Sequence, residues 1–498
     1  AKVLTSSATN IFLKLSRLIF NMINRELSVL IVGRVLQIII ALMAIKIATK
    51  FLQADELGNF YLLVSISGFF SLFMVNPIGQ YINRRTHDWH KQKKLLNVFY
   101  LYNYYLIFLT LFSIIIVYLL HYYNIGDNIN FSLFLIIVPI YIYFHSWNQT
   151  IIPMINILEG RVAFVLFTIA SQLLFLIISY LLITLLDEKG ALWFLGQAIA
   201  FGIVGLISLV YFIKKFHIGF DVKAAHRYVN NKNVRNMLNF SAPLSISVLF
   251  FWLQSQSYGI IIEKNIGSEF LGYFGVGMAI AFAISSAFEA IVMQYLYPKM
   301  YQSMSDNNKF SRMISNISNL ILPIYFYLAI FVTIFAINIV TILVDEKYYS
   351  SYIFVIFGIW VAFFRMSSNI ISNIAHSKMK TKKLILPNIV GAIIAVTGVT
   401  IATNFENYDF FIPLSLLLAS MISFFVNFRI MSNILHINLK VKNFLMISLF
   451  SLPLLISLFF SEYLNDVLFS TFIVGMFGLY FCYSLYNFFI INQKESSM

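Results

Sequence analysis

The 498-residue sequence contains a single cysteine, Cys482, and only nine prolines. One cysteine excludes an intramolecular disulfide and any metal site built from cysteine thiolates. Charged residues are scarce as well, at 11% against roughly 25% in soluble domains. Apolar residues make up 60% of the chain, and a soluble core of this size cannot bury so much apolar surface. The composition therefore predicts an integral membrane protein.

Long hydrophilic segments are also missing. The longest are 214–235 and 83–94, so the chain has no room for a soluble catalytic domain. No glycine-rich phosphate loop, metal-binding spacing or Ser/His/Asp arrangement is present in the sequence. We therefore expect a protein that is not an enzyme, needs no cofactor or metal, and acts within the membrane.

Fourteen apolar stretches are each long enough to cross, as a helix, a hydrocarbon core roughly 30 Å thick. They lie at 27–52, 59–80, 95–121, 130–155, 162–186, 191–213, 238–262, 270–297, 314–343, 350–374, 384–403, 410–433, 443–461 and 467–490. The predicted fold class is an all-α membrane protein with about 14 transmembrane helices.

Charge is sorted between alternate connections of these stretches. One set carries 27 of the 34 basic residues, whereas the other holds 4 basic and 13 of the 20 acidic residues. This positive-inside pattern predicts that both termini lie in the cytoplasm. The net charge of +14 then reflects loops that meet anionic lipid headgroups. We expect anionic membrane lipids as partners, and no nucleic acid.

The chain repeats a short motif after its first and seventh stretches. Ala54–Phe60 and Ser268–Phe274 place an acidic residue, leucine, glycine and phenylalanine at the same offsets. We expect each glycine to form a tight turn with positive φ. Six stretches separate the two motifs, which predicts two six-helix lobes in a parallel repeat about an axis along the membrane normal.

Five segments follow from this repeat. They are a cytoplasmic interfacial amphipathic helix at 1–26, an N-lobe at 27–213, a cytoplasmic linker at 214–237, a C-lobe at 238–435, and an appended helix pair with the C-terminal tail at 436–498.

Several motifs, taken in order, resemble those of Wzx-type polysaccharide flippases in the multidrug/oligosaccharidyl-lipid/polysaccharide exporter superfamily. The last two stretches look like those of its fourteen-helix members, which include lipid II flippases. The motifs are Leu57–Tyr61, Asn76–Gly79 leading to Arg84 and Arg85, Leu158–Arg161, Asn239–Leu244 and Gly267–Phe274.

The resemblance implies a lipid-linked oligosaccharide flippase in the bacterial cytoplasmic (inner) membrane. Such a protein moves a polyprenyl-diphosphate-linked glycan, such as an O-antigen or capsule repeat unit, to the outer leaflet by alternating access. A proton or sodium gradient would drive it by antiport. The implied partners are this glycan and the polysaccharide polymerase and chain-length proteins of lipopolysaccharide or capsule assembly, and we expect a monomer.

Four charged residues lie away from the ends of the apolar stretches: Arg34 and Lys46 in the first, Glu289 in the eighth and Arg365 in the tenth. A charge at a helix centre costs about 2.5–3.5 kcal/mol on insertion scales and usually faces a cavity or a partner. These residues are therefore the first candidates for a transport site.

Arg365 begins a polar stripe at three-and-four spacing that continues through Ser368, Asn369, Ser372, Asn373 and His376. The stripe faces either a water-filled cavity or another helix in a polar seam. We favour the cavity, because a guanidinium fork suits a diphosphate headgroup and keeps its charge in a dry site.

The other candidates each leave two alternatives open. Arg34 faces the cavity or snorkels to the cytoplasmic surface, and Lys46 points to an external mouth near Asp55 and Glu56 or extends a basic path inward. Glu289 exchanges a proton or sodium ion, or forms a structural ion pair with Arg34 or Arg365. Saccharide contacts are expected from polar residues at membrane depth, although a histidine there is also typical of simple packing. These residues are Gln254, Gln256, Ser257, His145, Asn148 and Gln149.

Two other functions are compatible with parts of the sequence. A cation-coupled multidrug exporter of the same superfamily usually has an acidic cavity, whereas Glu289 is the one acidic residue in these stretches. A membrane-embedded polysaccharide polymerase or ligase usually presents a large external loop, which is absent. The chain also departs from the flippase pattern, since its seventh stretch carries no cation.

Overall fold

The computed structural model describes residues 25–158, 160–216, 222–228, 231–302, 307–378, 380–463 and 466–497. The predicted amphipathic helix at 1–26 falls almost wholly outside these residues. Within the described ranges the regular structure is helical throughout, with no β-strand. The predicted all-α fold class is therefore confirmed.

Thirteen helices in the described ranges are long and apolar enough to cross a membrane, and a shorter apolar helix covers Val441–Ser457. We number these fourteen spans α1 (Arg25–Phe51), α2 (Ala54–Lys91), α3 (Leu95–Tyr122), α4 (Phe131–Ile157), α5 (Arg161–Leu185), α6 (Gly190–Phe216), α7 (Asn231–Asn265), α8 (Ser268–Gln302), α9 (Asn307–Ile334, continued by Ala336–Leu343), α10 (Tyr352–Ser377), α11 (Ile385–Ala402), α12 (Tyr408–Ser432), α13 (Val441–Ser451, continued by the 3₁₀ segment Leu452–Tyr463) and α14 (Val467–Ser497). A short helix, Val222–Tyr228, lies between α6 and α7.

The second span is longer than its apolar stretch predicts. Hydropathy ends it at residue 80 and leaves 83–94 as a loop, but α2 continues as a helix to Lys91. Its last turns are amphipathic and bury Tyr81 and Trp89, whose ring centroids lie 5.9 Å apart. Packing on one face therefore extends the helix beyond the apolar stretch. The middle of α2, Phe69–Val75, is π-helical.

Two six-helix sets pack side by side. Within α1–α6, the main contacts are α4–α6, α5–α6, α3–α4 and α1–α5; within α7–α12, they are α11–α12, α7–α11, α8–α10 and α10–α12. Between the sets, α2 packs on α8, with α1–α8 and α2–α7 contacts on either side. A repeat that superimposes α1 on α7 and α2 on α8 makes these two flanking contacts equivalent.

The last two spans pack against α9. The side chain of Asn443 in α13 donates to the carbonyl of Asn319 (2.6 Å), and Asn338 donates to Ser470 of α14 (3.0 Å). The rings of Tyr327 and Phe481 stack with centroids 4.5 Å apart. Buried hydrogen bonds and ring contacts thus hold the appended pair to one edge of the second helix set.

We call the end of the bundle that carries the α1–α2, α3–α4 and α7–α8 connections the acidic end, and the opposite end the basic end. At the acidic end the two repeated motifs pack on each other. A Cβ built on Gly58 would lie 2.9 Å from the Ser268 Cα atom, and one built on Gly272 would lie 3.1 Å from the Ala54 Cα atom. Each glycine therefore allows the backbone of the other motif to approach.

This geometry corrects the predicted role of the two glycines. Both lie in the first turns of α2 and α8 rather than in a turn of positive φ. Among the described residues, the glycines with positive φ are Gly126 and Gly267. The repeated glycines are required by close helix packing, and the prediction of a positive-φ turn at Gly58 and Gly272 is wrong.

Candidate functional site

A cavity of about 300 Å³ lies among α7, α8, α10, α11 and α12, with Gln80 of α2 on its far wall. We call it the Arg365 cavity, because Arg365 is the one permanently charged side chain among its described lining residues. Along α8 it reaches Met278 and Phe282, which follow the Gly272 contact. Along α8, the packing on α2 at Gly272 therefore lies between this cavity and the acidic end.

Arg365 is held by a ring instead of by a carboxylate. Its guanidinium carbon lies 4.5 Å from the centroid of Phe282 on α8, a distance typical of a cation–π contact. Glu289 and Tyr258 are near enough to interact electrostatically with it. Among the residues that the structure describes, however, none lies at ion-pair distance from Arg365 or accepts a hydrogen bond from it. Its fork of donors is thus available to an anion.

Glu289 is held by an amide one turn further along α10. Its Oε1 accepts a hydrogen bond from the Asn369 side chain at 2.8 Å. Neither Arg34 nor Arg365 forms the ion pair with Glu289 that the sequence left open, within the described part of the chain. Arg365 thus lies on the cavity wall, and Glu289 lies behind that wall, bonded to Asn369 and not to Arg365.

The polar stripe of α10 faces the cavity at some residues and another helix at others. Five of its members line the Arg365 cavity, namely Arg365, Ser368, Asn369, Ser372 and His376. Asn373 is buried instead and donates to the carbonyl of Asn369 in its own helix (3.0 Å). On the α12 side, the Asn427 side chain donates to the Ser372 hydroxyl (3.0 Å), so this edge of the stripe is a polar seam.

The two glutamines of α7 face different surroundings. Gln254 lines the Arg365 cavity and packs on Gly391 of α11. Gln256 packs on Gly68 of α2 instead, and its Oε1 is buried without a hydrogen-bond partner among the described residues. Only the first of the two predicted glutamines therefore reaches the cavity.

His145 lies within the first helix set, away from the Arg365 cavity. Its ring stacks on Tyr141, with centroids 4.9 Å apart, and lies 5.0 Å from that of Phe201. Its Nδ1 is 3.3 Å from the Ser71 hydroxyl. These contacts place His145 in an aromatic cluster, as expected for a histidine that serves packing.

The two cations of α1 also lie outside the cavity lining. Arg34 donates to Gln37 of its own helix at 2.9 Å. Lys46 donates to the carbonyl of Ile342 at 2.6 Å, near the carboxyl end of α9, where a cation complements the helix dipole. Glu56, which the sequence placed beside Lys46, instead accepts a hydrogen bond from the Gly190 amide (2.8 Å).

A second cavity of about 450 Å³ lies among α2, α4 and α5. None of its described lining residues is charged, and five of them carry amides. We call it the amide cavity; Gln80 lines both cavities, so the two are neighbours. The amides are Asn76, Gln80, Asn83, Asn148 and Gln149.

Glu263 is a buried carboxylate that the apolar stretches did not include. The seventh stretch ends at residue 262, whereas α7 continues to Asn265 and leaves Glu263 only 8% exposed. Its Oε1 accepts a hydrogen bond from the Gly126 amide (2.9 Å) in the α3–α4 connection of the other helix set. No local sequence signal distinguishes it from the exposed acids of the same end.

Among the described residues, no group of three or more histidine, cysteine or acidic side chains is gathered. The residues that are gathered at the cavities are a guanidinium, amides and hydroxyls. Such groups bind anions and polyhydroxylated ligands by hydrogen bonding.

The two packed helix sets, the polar cavities beside their contact and the appended pair define a multi-pass helical membrane protein with cavities among its spans. The structure is similar to that of the lipid II flippase MurJ in an inward closed conformation, with a TM-score of 0.69 and 14% identity over 95% of this chain and 99% of that one. Residues 23–304 match the family model described as polysaccharide biosynthesis protein, and the chain belongs to that family.

Multidrug transporters share this fold. An inward-facing MATE family transporter matches with a TM-score of 0.56 and 12% identity, over 79% of this chain and 94% of that one. A mutant of the Vibrio cholerae MATE transporter VcmN matches with a TM-score of 0.54 and 12% identity, over 82% and 95%. No curated protein sequence matches this chain significantly. The resemblance inferred from the sequence motifs is confirmed at the level of family and fold.

Proposed function

We propose that this protein is a flippase that moves a polyprenyl-diphosphate-linked oligosaccharide from the cytoplasmic to the outer leaflet of a bacterial inner membrane. The observation that carries the proposal is Arg365, a guanidinium without an ion-pair partner among the described residues, in a cavity beside the contact between the helix sets. Family membership and fold are consistent with transport of this kind.

The charge pattern supports the direction of transport. If the basic end lies in the cytoplasm, as the positive-inside rule predicts, then the α2–α8 contact closes the outer side of the cavity in this conformation. A lipid headgroup would enter from the cytoplasmic leaflet and leave after that contact opens. Gly58 and Gly272 would then lie at the outer gate.

The chemistry of Arg365 favours a diphosphate over the cationic drugs of a multidrug exporter. A bidentate guanidinium–phosphate contact is stronger than a neutral hydrogen bond and has a defined orientation. A cationic substrate would be repelled by Arg365, and such repulsion strengthens where water is excluded. The multidrug alternative therefore fits this cavity less well.

Glu289 supplies a route for coupling. In this conformation it accepts from Asn369 and lies near Arg365. We propose that when the diphosphate engages Arg365, Glu289 takes up a proton or sodium ion from the gradient. Coupling requires that the substrate and the ion favour different conformations, because a ligand with equal affinity for both shifts neither. The polymerase and chain-length proteins of polysaccharide assembly are the proposed partners of a monomeric transporter.

The test is substitution of Arg365. We expect Arg365→Ala to abolish surface glycan and to accumulate lipid-linked glycan on the cytoplasmic side. Arg365→Lys should restore only part of the export, because an ammonium lacks the planar fork. Membrane abundance of each variant is measured alongside export.

Lys50→Ala serves as the control, since Lys50 is an exposed cation at the acidic end with its ammonium 6.0 Å from the Phe51 ring centroid. It should export at the parental level. Full export by Arg365→Ala at normal abundance would remove Arg365 from the substrate path.

A further inference from the structure

We propose that the amide cavity binds the uncharged, hydroxyl-rich sugar rings next to the diphosphate of a lipid-linked saccharide. This inference rests on the proposed flippase function and assigns a separate subsite to the glycan. It divides the substrate between two neighbouring cavities, with the diphosphate at Arg365 and the first sugars among the amides of α2 and α4.

The shape of α2 creates one wall of this cavity. The π-helical segment Phe69–Val75 is followed directly by Asn76. Such segments interrupt the regular helix and are frequent at functional sites. Asn76, Gly79, Gln80 and Asn83 then follow at the spacing of one helix face, and all four line the cavity. The polar face of α2 in this region is thus turned toward the cavity and away from lipid.

The opposite wall comes from α4. Asn148 donates to the Ser171 hydroxyl of α5 at 2.9 Å, which fixes its amide. The side chain of Gln149 is exposed and forms no hydrogen bond with other described residues. Pro153 lines the same cavity and has no N–H for the carbonyl four residues earlier, that of Gln149. Gln149 therefore offers acceptors on both its side chain and its backbone.

The hydrogen-bonding capacity of the α2 wall is also incompletely used. The Oδ1 of Asn83 is buried without a partner among the described residues, whereas Gln80 donates to the Asn76 amide oxygen at 3.2 Å. Buried polar groups normally have partners. A ligand that both donates and accepts hydrogen bonds would satisfy this wall, and sugar hydroxyls have this property.

The absence of charge on the described lining identifies the class of ligand. A diphosphate entering the amide cavity would lose its hydration without gaining a cation, which is unfavourable. A neutral sugar ring avoids this cost. The cavity volume of about 450 Å³ lies within the roughly 300–1,000 Å³ range of small-molecule sites. Because Gln80 lines both cavities, the diphosphate and the adjacent sugars of one headgroup would lie in neighbouring sites.

Gly79 allows the cavity to be filled without disturbing its walls. A Cβ built on Gly79 would have Thr150 Oγ1, at 4.0 Å, as its nearest neighbour, an ordinary van der Waals distance. Gly79→Leu should therefore place its side chain in the space proposed for the sugar. Gly475→Leu on α14 is the matched control, since a Cβ there meets nothing within 4 Å.

The experiment measures binding of two probes to the full chain in lipid nanodiscs. One probe is a polyprenyl diphosphate without sugar, and the other is the same lipid carrying a neutral N-acetylhexosamine–hexose disaccharide. We expect the parent to bind the disaccharide lipid more tightly. Gly79→Leu should weaken that binding at least about tenfold and leave the sugar-free lipid unchanged, whereas Gly475→Leu should change neither.

Gln149→Leu gives a second measure that does not depend on filling the cavity. It should weaken binding of the disaccharide lipid about fivefold and leave the sugar-free lipid unchanged. If Gly79→Leu fails to fold, this variant decides the question. The subsite is refuted if the parent binds both probes equally, or if the variants weaken neither probe or weaken both to the same degree.

The proposed function fails in a different way. If Arg365→Ala weakens neither probe, the diphosphate is not at Arg365, whatever the Gly79 variant shows. If the parent binds neither probe, the flippase function and the subsite fail together.

Discussion

The contact between the repeated glycines makes a quantitative prediction about gating. A Cβ on Gly58 would lie 2.5 Å from the carbonyl carbon of Ser268 and 2.9 Å from its Cα atom. Nonbonded carbon atoms prefer about 3.5–4.0 Å, and both of these atoms belong to the backbone of α8. Gly58→Ala must therefore separate α2 from α8 by about 1 Å, which opens the acidic end.

The size of the effect follows from the cost of overpacking. Extra methyl groups in a packed contact typically cost about 1–3 kcal/mol. If that cost falls on the conformation closed at the acidic end, the open fraction rises between roughly fivefold and 150-fold. Gly272→Ala should act similarly through the Ala54 backbone. The free-energy change in the double variant should be smaller than the sum of the two single changes, because both substitutions disrupt the same contact.

The assay is thiol labelling from outside the cell. Ser255, which lines the Arg365 cavity, is replaced by cysteine in a Cys482→Ser background and exposed to a membrane-impermeant maleimide. We expect Gly58→Ala to accelerate labelling at least about fivefold. Gly475→Ala, which places its Cβ in open space, should label at the parental rate. An unchanged rate for Gly58→Ala, with normal folding, would show that this contact does not close the pathway.

Two further predictions concern orientation and coupling. Single cysteines at the exposed residues Asn128 and Glu406 should react with the impermeant reagent on whole cells, and those at Gln92 and Asn231 should not; the opposite pattern would invert the predicted topology. Glu289→Gln keeps the shape of the side chain but removes its charge. This variant should bind lipid-linked saccharide and fail to transport it in response to an ion gradient. Glu289→Asp should keep partial activity. Parental transport with the same gradient dependence in Glu289→Gln would make Glu289 a structural residue.

The α2–α8 contact and the two neighbouring cavities suggest how one substrate would engage both helix sets. Arg365 belongs to α10 of the second set, and the amides belong to α2 and α4 of the first. A headgroup that spans both would contact the two bodies that must move relative to each other. Its binding energy would then act directly on the α2–α8 contact, as population shift requires.

Some properties of this protein are local and could be predicted from the sequence. Membrane insertion depends on runs of apolar residues, and orientation depends on the charge of the loops, so neither requires knowledge of which helices touch. The number of spans and the fold class were predicted in this way. The motif at Gly58 and Gly272 indicated a repeat because its spacing is preserved along the chain.

Only the tertiary structure showed where the individual side chains lie. Hydropathy gave Arg34, Lys46, Glu289 and Arg365 similar weight, yet only Arg365 of these lines a described cavity. The direction of a side chain depends on how its helix is rotated against its neighbours, and a span buried on several sides has no single apolar face to reveal that rotation. For the same reason the amide face of α2, which follows a π-helical segment, and the contact made by Gly58 could be recognised only once the helices were packed together.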